Sequence, residues 1–160
     1  MTDSQGLAEP VSDVAAGDPL LEAKLEFGNA GSLDTGGTGW FIGYGSHHGA
    51  GNSPLRHVTR SQRANGLSVK WCDHEAGRPG GDGKPVSTGR TISMLVGGQG
   101  AFRLDFSLTG SFEPCRTLTR ILREPGDYAI WGEGVYHRWR CEKPCSILTI
   151  RWQPEQQLPG

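Results

Sequence analysis

Hydrophobic and polar residues alternate most regularly in "GLSVKWCDH". There Ser68, Lys70, Cys72 and His74 share one face of an extended chain, and Leu67, Val69 and Trp71 share the other. A period of two marks a half-buried β-strand. The polar face needs either solvent or a wet cavity. In the first case Leu67, Val69 and Trp71 face the core; in the second they point outward. Downstream, "RTISMLVGGQGAFRLDF" reads as a β-hairpin, two strands about a Gly-Gly-Gln-Gly turn. "RTLTRILREPGDYAIW" reads as two strands about a Pro-Gly turn, and "YHRWRCEKPCSILTIRW" as a closing hairpin that turns at Glu142-Lys143-Pro144. "WFIGYG" and "LRHVTRS" are weaker strands, and "PLLEAKLEF" fits a helical turn or a first strand equally. No long helical period occurs. About eight to ten strands at roughly ten-residue spacing predict an all-β sandwich or barrel.

Composition agrees with this pattern. The chain of 160 residues holds 25 Gly and 10 Pro, which suits short strands joined by tight turns. Residues 1–18 and 154–160 are polar or turn-rich and are expected to be disordered tails around one domain at 19–153. The formal net charge is −1, so a nucleic-acid partner is not expected. No apolar run reaches the length of a membrane-spanning helix, so no membrane partner is expected either. The N-terminus lacks the basic start and apolar core of a signal peptide, which points to a cytoplasmic protein. The four cysteines are then expected to be free thiols. Cys141 and Cys145 bracket a turn, where they are either close enough for a disulfide or ordinary small strand residues.

"GDYAIWGEGVYHRWRC" carries a more specific signal. Gly126 is followed after five residues by Gly132, then by Gly134, His137 and Cys141. This spacing resembles the second motif of the cupin superfamily, which reads glycine, five residues, proline, one residue, glycine, two residues, histidine, three residues, asparagine. Gly132 stands at the proline and Cys141 at the asparagine. "TISMLVGGQGAF" is similar to the preceding cupin stretch, with Gly98 at its glycine and Thr91 where a metal-binding glutamate usually stands. The resemblance covers about Leu67 to Trp152. It implies a single-domain cupin-type jelly-roll β-barrel with a pocket inside and His137 pointing into it. It also implies departures from the family. The first motif's His-x-His pair falls on Pro85 and Ser87, or on Lys84 and Val86, and Thr91 is no carboxylate. Three of the four usual metal ligands are therefore absent.

The candidate residues follow. His137 is a metal ligand or a proton-transfer group, since neutral imidazole does either near neutral pH. His74 stands at the end of the polar face and is its first candidate partner, both as a metal ligand and in catalysis. Lys70 on the same face is a candidate acid or base. Third metal ligands are sought among Cys72, His47, His48, His57 and Cys141; iron(II) or zinc suits such donors better than magnesium. Trp131 and Trp139 are candidates to stack on a planar or sugar-like ligand. Arg151 offers a donor fork for a carboxylate. "SHHGAG" is a solvated loop or a lid. The expected function is a small-molecule enzyme acting on a polar or carboxylate-bearing substrate in the pocket, by oxygenase, isomerase, cyclase or metal-free proton chemistry. The alternatives are a ligand-binding barrel without catalysis and a structural homodimer that uses the Trp71 face.

Overall fold

The computed structural model describes residues 18–44, 53–58 and 64–154. Apart from Asp18 and Pro154, the last residue of the final strand, the expected tails lie outside them, as does "SHHGAG". The described chain begins with a single helical turn, α1, at Pro19–Glu22. Asp18 caps it by accepting from the Leu20 N–H at 2.9 Å, so this residue belongs to the fold and not to a tail. Eleven strands follow: β1 Leu25–Asn29, β2 Gly43–Tyr44, β3 His57–Val58, β4 Ala64–His74, β5 Pro79–Gly80, β6 Arg90–Gly98, β7 Phe102–Ser107, β8 Leu118–Leu122, β9 Asp127–Trp131, β10 Tyr136–Cys141 and β11 Cys145–Pro154. They form an antiparallel sheet of order β1-β9-β6-β11-β4, a second of order β5-β10-β7-β8, and a short parallel pair β2-β3. The protein is all-β, with two antiparallel sheets as in a β-sandwich. No ladder among the described strands joins the sheets into a closed barrel.

The two expected hairpins are crossings. β6 pairs with β9 and β11, whereas β7 pairs with β8 and β10. The Gly97–Ala101 turn thus carries the chain from one sheet to the other, and Cys141–Cys145 carries it back. A hairpin and a crossing share one local pattern of alternation, glycine turn and alternation; distant pairing decides between them. The first crossing needs left-handed backbone at Gly98 (φ 92°) and Gly100 (φ 74°). A Cβ on Gly98 would lie 2.5 Å from the Pro144 carbonyl oxygen, so the two crossings pack directly on each other.

Apolar residues occupy both faces of the five-stranded sheet. Leu95, Ala129, Trp131 and Ile147 face the other sheet and meet Leu104, Phe106 and Leu122 there. Ile92, Tyr128, Ile130 and Trp152 form a second cluster on the outer face, beneath Leu33, Phe41, Ile42 and Leu55. A strand buried on both faces reads as a continuous apolar run, as "YAIW" does. The covering segment is tied down at Glu26, which accepts from Arg56 Nε and, at 2.8 Å, from the Tyr128 hydroxyl. That hydroxyl's pKa is raised by burial and then by Glu26.

β4 is an edge strand, and its polar face is the inward one. Leu67, Val69 and Trp71 are 63%, 60% and 60% exposed on the outer side. Of the two readings of this strand, the one with Leu67, Val69 and Trp71 pointing outward holds. The inner face of β4 borders the gap between the sheets, while the cover of the outer cluster is given by Ala30, Leu33, Phe41, Ile42 and Leu55.

Candidate functional site

Cross-strand register builds the inner wall of the site. One row runs Leu25, Trp131, Thr91, Arg151, Ser68 across β1, β9, β6, β11 and β4. The next runs Phe27, Ala129, Ser93, Thr149, Lys70. Each row passes from apolar at β1 and β9 to polar and cationic at β11 and β4. Ser68, Val69, Lys70, Thr149 and Arg151 line a cavity of about 210 Å³ at the polar end. Behind them Ser93 and Thr149 share a hydroxyl hydrogen bond of 3.1 Å, and Arg151 Nε donates to Thr91 Oγ1 at 3.4 Å.

The opposite wall supplies His137 from β10, only 8% exposed. Its ring lies 4.6 Å from that of Trp131, tilted by 42°. Its Nδ1 is buried without a hydrogen-bond partner. Burial first, and then the positive charges of Lys84, Arg151 and Lys70, push its pKa down to about 4. His137 is therefore a neutral imidazole at neutral pH. Lys84 stands in the loop between β5 and β6. Its own pKa is lowered by burial and then by Lys70 and Arg151. The salt bridges among the described residues lie elsewhere, between Arg56 and Glu26 and from Arg103 and Arg138 to Asp105.

His74 also points between the sheets, but into an aromatic box. Its ring is 4.4 Å from Trp139, edge-on, and 4.9 Å from Phe102. Burial, Lys70 and Arg78 lower its pKa, against an opposing pull from Asp73. Trp139 is engaged by His74 and stacks on Phe102 at 5.4 Å. Trp131 is fully buried; its ring meets His137 and Phe106, and its Nε1 donates to Ser87 Oγ at 3.0 Å. Neither tryptophan offers an open ring face to the cavity between Lys70 and Arg151.

The expected metal ligands scatter. His57 follows Arg56 in the segment tied to Glu26, and its carbonyl accepts from Arg90, on the outer side of the sheet. His47 and His48 lie outside the described residues. Cys72 is half-buried on the inner face of β4. Cys141 is engaged with Cys145, sulfur to sulfur at 3.7 Å, and with the Lys143 carbonyl at 3.0 Å. Both are buried and not joined in a disulfide, and burial raises the pKa of Cys145. Among the described residues, no three His, Cys, Asp or Glu side chains come together in a group that could hold a metal ion.

Comparison with protein-family models, with curated proteins and with solved structures gave no match. Lys84, Ser93 and Thr149 join His137, Lys70 and Arg151 at this site. Thr149 was legible in the alternation Ile147, Thr149, Arg151 of the last strand. Lys84 was not, because a loop lysine carries no periodic signal. Among the described residues, no helix is long and apolar enough to cross a membrane.

Proposed function

We propose that the gap between the sheets is the pocket of a small-molecule enzyme of the cupin type, in which neutral His137 moves a proton on a polar or carboxylate-bearing substrate. The observation that carries this reading is a buried imidazole with an unpartnered Nδ1, held against Trp131 beside a cationic cavity. An unsatisfied buried polar atom is destabilising, by about 1–3 kcal/mol, and such atoms persist where a ligand completes them. Lys70 and Arg151 orient the substrate's anionic end. A substrate carboxylate there would also offset the charges that hold His137 neutral, making the imidazole a better base once substrate is bound. The jelly-roll form of the fold belongs to the same proposal. It is supported by two sheets joined by repeated crossings and by His137 projecting between them.

Iron or zinc suits this surrounding poorly. Thr91 stands where the family resemblance expects a carboxylate, and it accepts a hydrogen bond from Arg151. Lys84, Arg151 and Lys70 all oppose a further positive charge near His137.

A thermal-shift screen of small carboxylates and polar neutral compounds tests the pocket, with His137→Gln beside the parent protein. The expected result is at least one ligand whose shift the substitution removes. That ligand, incubated in D2O, is expected to take up deuterium at the carbon next to its carbonyl or carboxylate with the parent protein only. Ligands that bind equally well to His137→Gln would sink the reading.

The exposed Leu67, Val69 and Trp71 on the unpaired edge of β4 favour a second reading, a structural homodimer through that edge. Light scattering after size exclusion would then give a dimer that Trp71→Glu splits; a monomeric parent protein removes this reading.

A further inference from the structure

The cations of the site carry more charge than a single carboxylate offsets. Lys70 and Arg151 line the cavity of about 210 Å³. Lys84 stands in the loop between β5 and β6, where its backbone N–H donates to the Gly81 carbonyl at 3.2 Å and Gly81 packs against the backbone of His137 and Arg138. No carboxylate among the described residues forms a salt bridge with any of the three. Lys84 itself feels Lys70 and Arg151 as repulsive neighbours. Lys70, Lys84 and Arg151 are all exposed at the mouth of this space, and an anion between them relieves the mutual repulsion of three like charges.

The remaining donors fit the same ligand. Arg151 uses Nε on Thr91. Its terminal nitrogens make no hydrogen bond within the described structure and can grip two oxygens side by side. Ser93 and Thr149 share one hydrogen bond, which uses one of their hydroxyl protons and leaves the other to donate. Buried His137, with its bare Nδ1, stands behind this rim. The cavity lies below the usual span of about 300–1,000 Å³ for drug-sized ligands, so the occupant is small.

We infer that the site between Lys70, Lys84 and Arg151 selects a small dianion, a dicarboxylate or a phosphate monoester, over a monocarboxylate. This deepens the proposed function and rests on the same pocket. The shared chemistry is two negative charges on a compact body. One charge leaves most of the repulsion in place; two remove most of it.

Titration calorimetry tests this, with acetate, malonate, succinate, inorganic phosphate and methyl phosphate at one ionic strength set with sodium chloride. At least one dianion is expected to bind ten-fold or more tighter than acetate. Malonate and succinate against the two phosphates distinguish the sources. Lys70→Met, Lys84→Met and Arg151→Gln are each expected to weaken that dianion about ten-fold. Without ligand, each variant is expected to melt no lower than the parent protein, because a repulsive charge has gone. Folded variants that keep full dianion affinity, or dianions that bind no tighter than acetate, overturn the inference. If neutral or singly charged ligands bind in a His137-dependent way with no dianion preference, the inference falls and the proposed function stands. If dianions bind through the three cations but His137→Gln changes nothing, the inference stands and the proposed function falls.

Discussion

His137 is the residue on which sequence and structure converge. Its glycine spacing marked it, and the fold buries it beside Trp131 under the field of Lys84, Arg151 and Lys70. Its titration has a definite sign. The folded value near 4 lies below the ordinary value of 6.5, so between these two the unfolded chain binds the proton and the folded chain resists it. Stability is full above pH 6.5 and is lost as the pH falls toward 4, by an amount on the order of 3 kcal/mol. His74, whose pKa is also lowered, adds to the loss in the same direction. Asp105 and Asp127 have pKa values below the usual 3.8 and act only at lower pH. Urea denaturation at several pH values between 7.5 and 4.5 is expected to show a flatter profile for His137→Gln than for the parent protein. An unchanged slope would mean that His137 is not the group that resists protonation. His74 shares the gap between the sheets but packs on Trp139 and Phe102. Residue type and strand position drew attention to His74. They carried no information on which aromatic rings from the other sheet would surround it.

At the scale of elements, the strands were legible and their pairings were not. β4 lies where alternation placed it, because burial on a sheet face imposes a period of two on the sequence, and β6, β9 and β11 lie where strands were read on either side of turns. The turns at Gly97–Ala101 and Cys141–Cys145 were read as hairpins because nothing local separates a hairpin from a crossing. Replacement of Gly98 by Ala tests the crossing. The substitution puts a Cβ on a left-handed backbone and drives it against Pro144. A loss of about 2–3 kcal/mol is expected in chemical denaturation, well above the fraction of a kcal/mol typical of exposed turns. The second crossing makes a prediction about thiols. Cys115 is exposed and Cys72 is half-buried, whereas Cys141 and Cys145 are buried together. A thiol reagent under native conditions is expected to modify Cys115 first and Cys72 more slowly. Cys141 and Cys145 should react only on unfolding, and fast reaction of four thiols in the folded protein would contradict their burial.

At the scale of the whole molecule, β6 and β9 join two cores through one sheet. Trp131 and Ala129 lie on the inner side, Ile130 and Tyr128 on the outer. Loosening one face therefore disturbs the other. Glu26 holds the outer cover by accepting from Arg56 and Tyr128, so Glu26→Gln removes the carboxylate charge that the buried guanidinium of Arg56 faces here. The expected loss is about 3 kcal/mol, with far-UV dichroism and tryptophan fluorescence still changing together as denaturant rises. Separate transitions would show that the two cores unfold independently. The sequence by itself determined the class of fold, the strand positions and the alternation of β4. Each is written in short-range patterns, because a sheet face and a tight turn constrain neighbouring residues. Only the tertiary structure decided which strands share a sheet, which face of β4 turns inward, and that Lys84 joins Lys70 and Arg151 around His137. Those facts depend on contacts between residues far apart in the chain, and no local pattern encodes the distance between them.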